Sequence, residues 1–298
     1  MSQSKKSLLY ALSAVLIWSS VATAFKLGLR ELYYSQLIFV AAGVSTIFLF
    51  LYLLFTRQLS QLLETTRQEW LRSAITGAIN PFGYYLILFK AYSLLPAQLA
   101  QPLNMVWPIT LSLLSVVMLK QKIGYRHFLA MGISFTGIVV LSSQGGISGF
   151  QQTSLLGVFL ALGSSIFWAL YWILNVKDRR GEAVKLFLSF VFGFVYLLVL
   201  MPFTGGFKIP AGLSLWAAIY IGLFEVGITY LLWMRAMQLS SNNARIGNLT
   251  FLSPFLSLFF IALILKETIY STTIAGLLLI IAGIAWQQFF PGSKKQSS

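Results

Sequence analysis

The chain has no cysteine and one histidine, His127. The first shortage removes disulfides, thiolate nucleophiles and cysteine-ligated zinc; the second leaves one imidazole, which cannot build a metal site by itself. Charge is scarce as well: Asp, Glu, Lys and Arg make up 9% of 298 residues, where a soluble domain carries about a quarter. Only seven residues are acidic, and they are scattered. Without paired carboxylates, a nucleophile beside a base or a ligand cluster, the sequence does not read as an enzyme, and no cofactor or metal is expected. What is abundant is apolar sequence, 58% of the chain, in runs near the ~20 residues that cross a bilayer. No stretch is polar and long enough to form a separate soluble domain.

Hydropathy predicts an all-α polytopic membrane protein with ten helices, at about 7–29, 33–55, 70–94, 96–119, 126–143, 153–176, 183–202, 213–239, 243–265 and 270–290. The first run follows Lys5 and Lys6 as a secretory signal would. Ser7 to Leu29 is long enough to span, however, and no cleavage site leads to a hydrophilic remainder, so it reads as an uncleaved helix. Ten crossings return both ends to one side. Of 21 basic residues only Lys26, Arg30, Lys90, Lys208 and Lys266 fall on the opposite side, and because translocating cationic loops is disfavoured, both termini are expected in the cytoplasm of a multi-pass protein of the cell (inner) membrane. The net charge of +14 is explained by this bias and not by nucleic-acid binding. In the link from Arg57 to Arg72, Leu59, Leu62, Leu63 and Trp70 stand at helical spacing, as in a short interfacial helix, with a solvated loop as the other reading.

Two halves of the chain resemble each other. Ala11 to Trp18 (ALSAVLIW) matches Ala161 to Trp168 (ALGSSIFW), and Pro108, Lys120 and Gly137 pair with Pro254, Lys266 and Gly283 at one constant shift. Five helices per copy is an odd number, so the second copy must enter the membrane from the opposite face. The expected organisation is therefore two inverted five-helix repeats, 1–145 and 146–298, closing on a central cavity, the arrangement that underlies alternating access.

Four stretches then carry a resemblance: LIWSSVATAFKLGL (Leu16 to Leu29), PLNMVWPITLSLL (Pro102 to Leu114), SSIFWALYWIL (Ser164 to Leu174), and LSPFLSLFFIALILKETI followed by AGLLLIIAGI. In this order and spacing they resemble the EamA-type drug/metabolite transporter superfamily over nearly the whole chain. The Asn-x-x-Trp-Pro run and the Trp of the sixth helix are similar to the bacterial aromatic amino acid exporters of that superfamily. The resemblance implies ten helices around a central cavity and transport of amino acids and other metabolites, usually outward. There are departures: helix 2 lacks the arginine common near its start, and Gln121 stands where the second copy has Glu267.

Candidate site residues follow from depth and chemistry. Proline within a membrane helix lacks an N–H and displaces the carbonyl four residues earlier, so Pro81, Pro102, Pro108 and Pro254 are candidate hinges, with carbonyls freed at Asn104 and Thr250. Kinks that only shape packing are the alternative. Glu225 sits about twelve residues into the eighth helix. Inserting an acid there costs roughly 2.5–3.5 kcal/mol, so it should face the bundle interior, where it can couple protons, meet a substrate amine or serve as a hydrogen-bonded structural acid. Lys26 is placed either to receive a substrate carboxylate or to snorkel to the headgroups. Trp18, Trp107, Trp168 and Trp172 lie away from the interfaces, whereas Trp70, Trp216, Trp233 and Trp286 read as belt residues. With Tyr84, Tyr85, Tyr171, Tyr230, Asn80, Asn104 and Asn248 they form a candidate apolar pocket with a few orienting polar groups, though any one ring is more often core or lipid-facing. Gly157, Ala161, Ser165 and Ala169 recur every fourth position and mark a close helix contact.

The reading that results is a secondary transporter, an exporter of small organic metabolites such as amino acids or related amphipathic solutes. Its partners would be that solute, the bilayer and protons, with no nucleic acid, and it would be a monomer or weak dimer. A channel or facilitator, or a non-transporting scaffold, is the alternative; no ring of charges or carbonyl filter is visible.

Overall fold

A computed structural model describes residues 3–119, 125–176, 178–208, 210–239 and 248–289. Helices and short connections make up the described residues, among which there is no strand. Five stretches are long and apolar enough to cross a membrane, Gln3–Gly28, Tyr34–Phe55, Leu155–Asn175, Glu182–Phe203 and Gly212–Leu239, and shorter apolar helices accompany them. The all-α membrane class read from composition is thus the class observed.

The helices are α1 (Gln3–Gly28), α2 (Tyr34–Phe55), α3 (Ser60–Leu63), α4 (Arg67–Gly77), α5 (Tyr84–Leu94), α6 (Ala97–Asn104), α7 (Trp107–Leu119), α8 (Tyr125–Ser142), α9 (Ile147–Gln152), α10 (Leu155–Val176), α11 (Glu182–Leu200), α12 (Gly212–Tyr220), α13 (Ile228–Leu239), α14 (Leu252–Phe260) and α15 (Ser271–Phe289). The Arg57–Arg72 link is neither one interfacial helix nor a plain loop. It holds the single turn α3, and Thr66 then caps α4, its hydroxyl and backbone N–H paired with Glu69 in a capping box. The helix expected from residue 70 begins there, at Arg67.

Interruptions recur along the described chain, and one of them, the π-helical segment Ile261–Leu265, directly follows α14. Between α4 and α5 lies a π-helical segment, Ala78–Gly83, in which Asn80 leaves helical geometry (φ −148°, ψ 121°) just ahead of Pro81. Between α12 and α13 another π-helical segment, Ile221–Gly227, contains Glu225. Between α6 and α7 the chain turns at Met105 and Val106, flanked by Pro102 and Pro108. Pro254 lies in α14, directly after the 3-10 turn Asn248–Phe251.

Packing is close because small residues line the contacts. A Cβ on Gly77 would lie 2.5 Å from the Ser189 carbonyl of α11, and one on Gly222 would lie 2.6 Å from the Ala41 carbonyl of α2. Ser45 Oγ donates to the Gly222 carbonyl at 2.7 Å, and Thr76 and Ser189 share a hydroxyl bond of 2.7 Å across the other pair. α1 lies against α12, α13 and α14, whereas α10 lies against α5, α6 and α7. α8 packs along α15, where a Cβ on Gly137 would meet the Gly276 carbonyl at 2.7 Å. On α10, Ala161, Ser165 and Ala169 are buried and a Cβ on Gly157 would press on Leu95, so the four-residue repeat of small side chains is a packing stripe.

Trp233 departs from its expected place in a belt. It is half-buried and its ring lies 5.4 Å from that of Trp18, because α13 turns that face toward α1.

Candidate functional site

Two of the three π-helical segments, Ala78–Gly83 and Ile221–Gly227, are linked through the hydrogen bond between Tyr85 and Glu225. Each adds a residue to its turn and displaces the carbonyl ladder, a local irregularity that helices carry mostly at working positions. The first delivers Tyr84 and Tyr85 and the second delivers Glu225. Tyr85 Oη donates to Glu225 Oε1 at 3.0 Å. The indole N–H of Trp18 donates to the backbone carbonyl of Glu225 at 3.1 Å, so α1 holds the π-helical segment in place.

A second polar chain crosses the break between α6 and α7. Tyr84 Oη donates to Asn104 Oδ1 at 3.2 Å, Asn104 Nδ2 donates to Ser164 Oγ at 2.8 Å, and Ser164 Oγ donates to the Ala161 carbonyl at 2.7 Å. Asn104 therefore ties α5, α6 and α10 together at the point where α6 ends.

Aromatic rings form a continuous band around these groups. Tyr84 contacts Tyr85 with centroids 4.7 Å apart and Trp168 at 4.9 Å; Trp168 reaches Tyr171 and Trp172, each at 6.1 Å; Trp172 stacks on Tyr230 at 6.2 Å. Two buried polar atoms in this region have no partner, the indole nitrogen of Trp172 and Oδ1 of Asn80. Among the described residues no Lys or Arg side chain pairs with Glu225. Lys185 is paired with Glu182, Arg180 with Asp178, and Lys90 lies 5.2 Å over the ring of Tyr34.

Toward the Lys26 end the passage is filled. Phe25 packs on Phe89 at 4.6 Å, Tyr92 at 5.2 Å and Tyr85 at 6.5 Å. Beyond this plug Lys26 Nζ donates to the carbonyls of Tyr92 (3.0 Å) and Leu95 (2.9 Å), capping the end of α5. The two oxygens of Glu267 accept from the backbone N–H groups of Ala97 (3.0 Å) and Gln98 (3.2 Å) at the start of α6. Gln98 in turn donates to the Thr268 carbonyl at 2.6 Å and accepts from Thr273 at 2.9 Å. A cavity of about 230 Å³ lies at this end, lined by Lys26, Leu29, Arg30, Ser93, Leu265 and Glu267.

Of the residues read from the sequence, Trp18, Tyr84, Tyr85, Asn104, Trp168, Tyr171, Trp172, Glu225 and Tyr230 come together. Lys26 does not. Two of its three donors go to main-chain carbonyls outside the aromatic band, so the side chain points away from Glu225. Trp107 opens α7 beside the break, but its ring joins none of the band's ring contacts. Pro81, Pro102 and Pro108 flank the interruptions, and Pro254 follows one. The side chains of Asn248 and His127, and Lys120, Gln121, Lys122, Lys177, Arg245, Lys294 and Lys295, lie outside the described residues. Sequence reading missed Asn80 as a break, Ser164 as a partner, the Phe25–Phe89–Tyr92 plug and the π-helical turn around Glu225. A signal existed for the last of these, since Gly222 and Gly227 bracket the acid as Gly77 and Gly83 bracket Pro81.

Comparison with known proteins fits this architecture. The transporter YvbV of Bacillus subtilis is 24% identical over 222 residues, 73% of this chain and 72% of its own. A transporter of Archaeoglobus fulgidus is 24% identical over 94% of this chain and 96% of its own. The aromatic amino acid exporter YddG of Ancylobacter novellus is 26% identical over 65% of this chain and 68% of its own. A solved crystal structure superposes with a TM-score of 0.66 at 20% identity, covering 96% of this chain and 97% of that one, and so shares the fold. The model of the EamA-like transporter family matches residues 5–143 and again 155–287, and the chain belongs to that family of membrane transporters.

Proposed function

We propose that this protein is a secondary transporter, an exporter of small organic metabolites such as amino acids or related amphipathic solutes, and that it works by alternating access. The observation that carries the proposal is the carboxylate of Glu225 held inside a band of aromatic rings where two interrupted helices meet. An acid at that depth needs a reason, and apolar walls with a few orienting polar groups are what a solute site requires. Solute amine and proton are the two partners that could neutralise it, which makes Glu225 the coupling residue in this reading. A curated relative that exports aromatic amino acids favours a solute of that class.

The mechanism follows from treating the chain as ten crossings in two inverted repeats, 1–145 and 146–298. Reciprocal contacts support this. α1 of the first half lies on α12 to α14 of the second, and α10 of the second lies on α5 to α7 of the first. The packing of Gly77, at the end of α4, against α11 is mirrored by that of Gly222 against α2. With the termini in the cytoplasm, as the distribution of Lys and Arg favours, the Phe25 plug and the Glu267 contacts close the outer face. Outward opening would separate them while the breaks at Asn80, Met105 and Glu225 absorb the change in backbone angles.

Counterflow in proteoliposomes tests the proposal, using a panel of amino acids, amines and nucleobases with and without a pH gradient. Saturable exchange of an amine-bearing solute, accelerated by the gradient, is expected, and Glu225→Gln should abolish the response to pH. Channel-rate current without counterflow, or a Glu225→Gln protein with the wild-type rate and pH profile, overturns it.

A further inference from the structure

We infer that the site between the π-helical segments Ala78–Gly83 and Ile221–Gly227 selects a protonated aromatic amine over the zwitterionic amino acid with the same ring. The inference rests on the transport reading above and follows from the charges that the described residues place in the site.

An organic ammonium finds what it needs in this site. Glu225 offers a carboxylate whose hydrogen-bond donor among the described residues is Tyr85 alone, and Asn80, 1% exposed, holds an unpartnered carbonyl oxygen. Tyr84, Trp168, Trp172 and Tyr230 supply ring faces, which attract a cation and stack on a flat apolar body.

A substrate carboxylate finds no cation among the described residues of this site. It would have to leave water for an aromatic enclosure that already holds Glu225, and an uncompensated charge there is costly. Carboxylate recognition calls for several donors, best of all a cation. Several donors nearby are already committed: Tyr84 to Asn104, Tyr85 and Trp18 to Glu225, and Asn104 Nδ2 to Ser164. Among the described residues what remains in the band is neutral, the Trp172 indole N–H and the hydroxyls of Tyr171 and Tyr230, with no cation among them. The break before α7 adds no free row of amides. Met105 and Val106 donate to the Gln101 and Leu103 carbonyls, Ile109 and Thr110 return to Val106, and Pro108 has no N–H. Lys26, the basic residue next along α1, is held on Tyr92 and Leu95.

The experiment is competition counterflow with wild-type protein in proteoliposomes at neutral pH, pairing tryptamine with tryptophan and phenethylamine with phenylalanine. Each amine should compete at least about tenfold more tightly than its amino acid. In Glu225→Gln the amine should lose about that factor while the amino acid changes little, so the preference collapses. Amino acids that compete as well as or better than the amines overturn the selectivity and leave the transport reading standing. If no solute of the wider panel exchanges, both fall. The wild-type pairs decide the matter even where the variant does not fold.

Discussion

Depth made Glu225 readable from one sequence, because an acid twelve residues into an apolar helix has few innocent explanations. Its partners were less readable. Tyr85 and Trp18 are 140 and 207 residues away along the chain, and only the fold brings a hydroxyl to its side chain and an indole to its backbone. Lys26 shows the opposite outcome, a residue whose charge suggested a ligand role and whose ammonium is occupied by carbonyls at a helix end. Asp178, in the connection between α10 and α11, offers a test outside the membrane. Burial alone would push its carboxyl up. Hydrogen bonds from the Arg180 side chain and backbone, the Arg180 charge and nearby Lys185 outweigh that and hold it below the usual carboxylate range. A folded-state pKa lower than the unfolded one contributes stability at neutral pH, and that contribution drains away as the pH falls below about 4 toward the folded value. Asp178→Asn is therefore expected to lower the melting temperature at pH 7. The gap to wild type should close as detergent-solubilised samples are acidified; a gap that persists unchanged at pH 3 would show the charge to be irrelevant.

Helices were legible in proportion to the hydrophobic pattern, and their interruptions in proportion to proline. The break between α6 and α7 lies between Pro102 and Pro108, and the one before α5 is marked by Pro81. Ile221–Gly227 contains no proline, so its π-helical turn left only the flanking glycines as a trace. Glycine matters at this scale for contact, not flexibility. On α8 and α15, Cβ atoms at Gly137 and Gly276 would lie 2.7 Å and 2.6 Å from each other's carbonyl oxygens, and backbone cannot step aside cheaply. Gly137→Val or Gly276→Val should cost about 1–3 kcal/mol or more through overpacking, read as a lower melting temperature. At Gly132 and Gly163 an added Cβ meets nothing within 4 Å. Alanine there should be neutral or stabilise by about 0.5–1 kcal/mol, the usual advantage over glycine inside a helix. Equal effects at all four positions would refute the close-contact explanation.

For the molecule as a whole, composition and hydropathy gave the membrane class, whereas closure at the Lys26 end could not be read, since it depends on contacts 170 residues apart. Glu267 draws the chain before α15 onto the start of α6 with a charged acceptor on two backbone donors, a favourable placement at a positive helix end. Gln98 adds a bond in each direction. Charge-assisted bonds of this type contribute about 1.5–3 kcal/mol each, so losing them should raise the open fraction by about tenfold or more. Because the chain has no cysteine, one engineered thiol can report the change. Ala22, 2% exposed on α1, lies one turn from Phe25 toward Trp18, behind the plug. In an Ala22→Cys protein, a membrane-impermeant maleimide applied to whole cells should label slowly, and adding Glu267→Ala should accelerate labelling about tenfold. Glu267→Gln, which keeps one acceptor but no charge, should fall between them. If all three label at one rate while their melting temperatures agree, Glu267 does not hold this face shut, and the opening step must be sought in the aromatic plug alone.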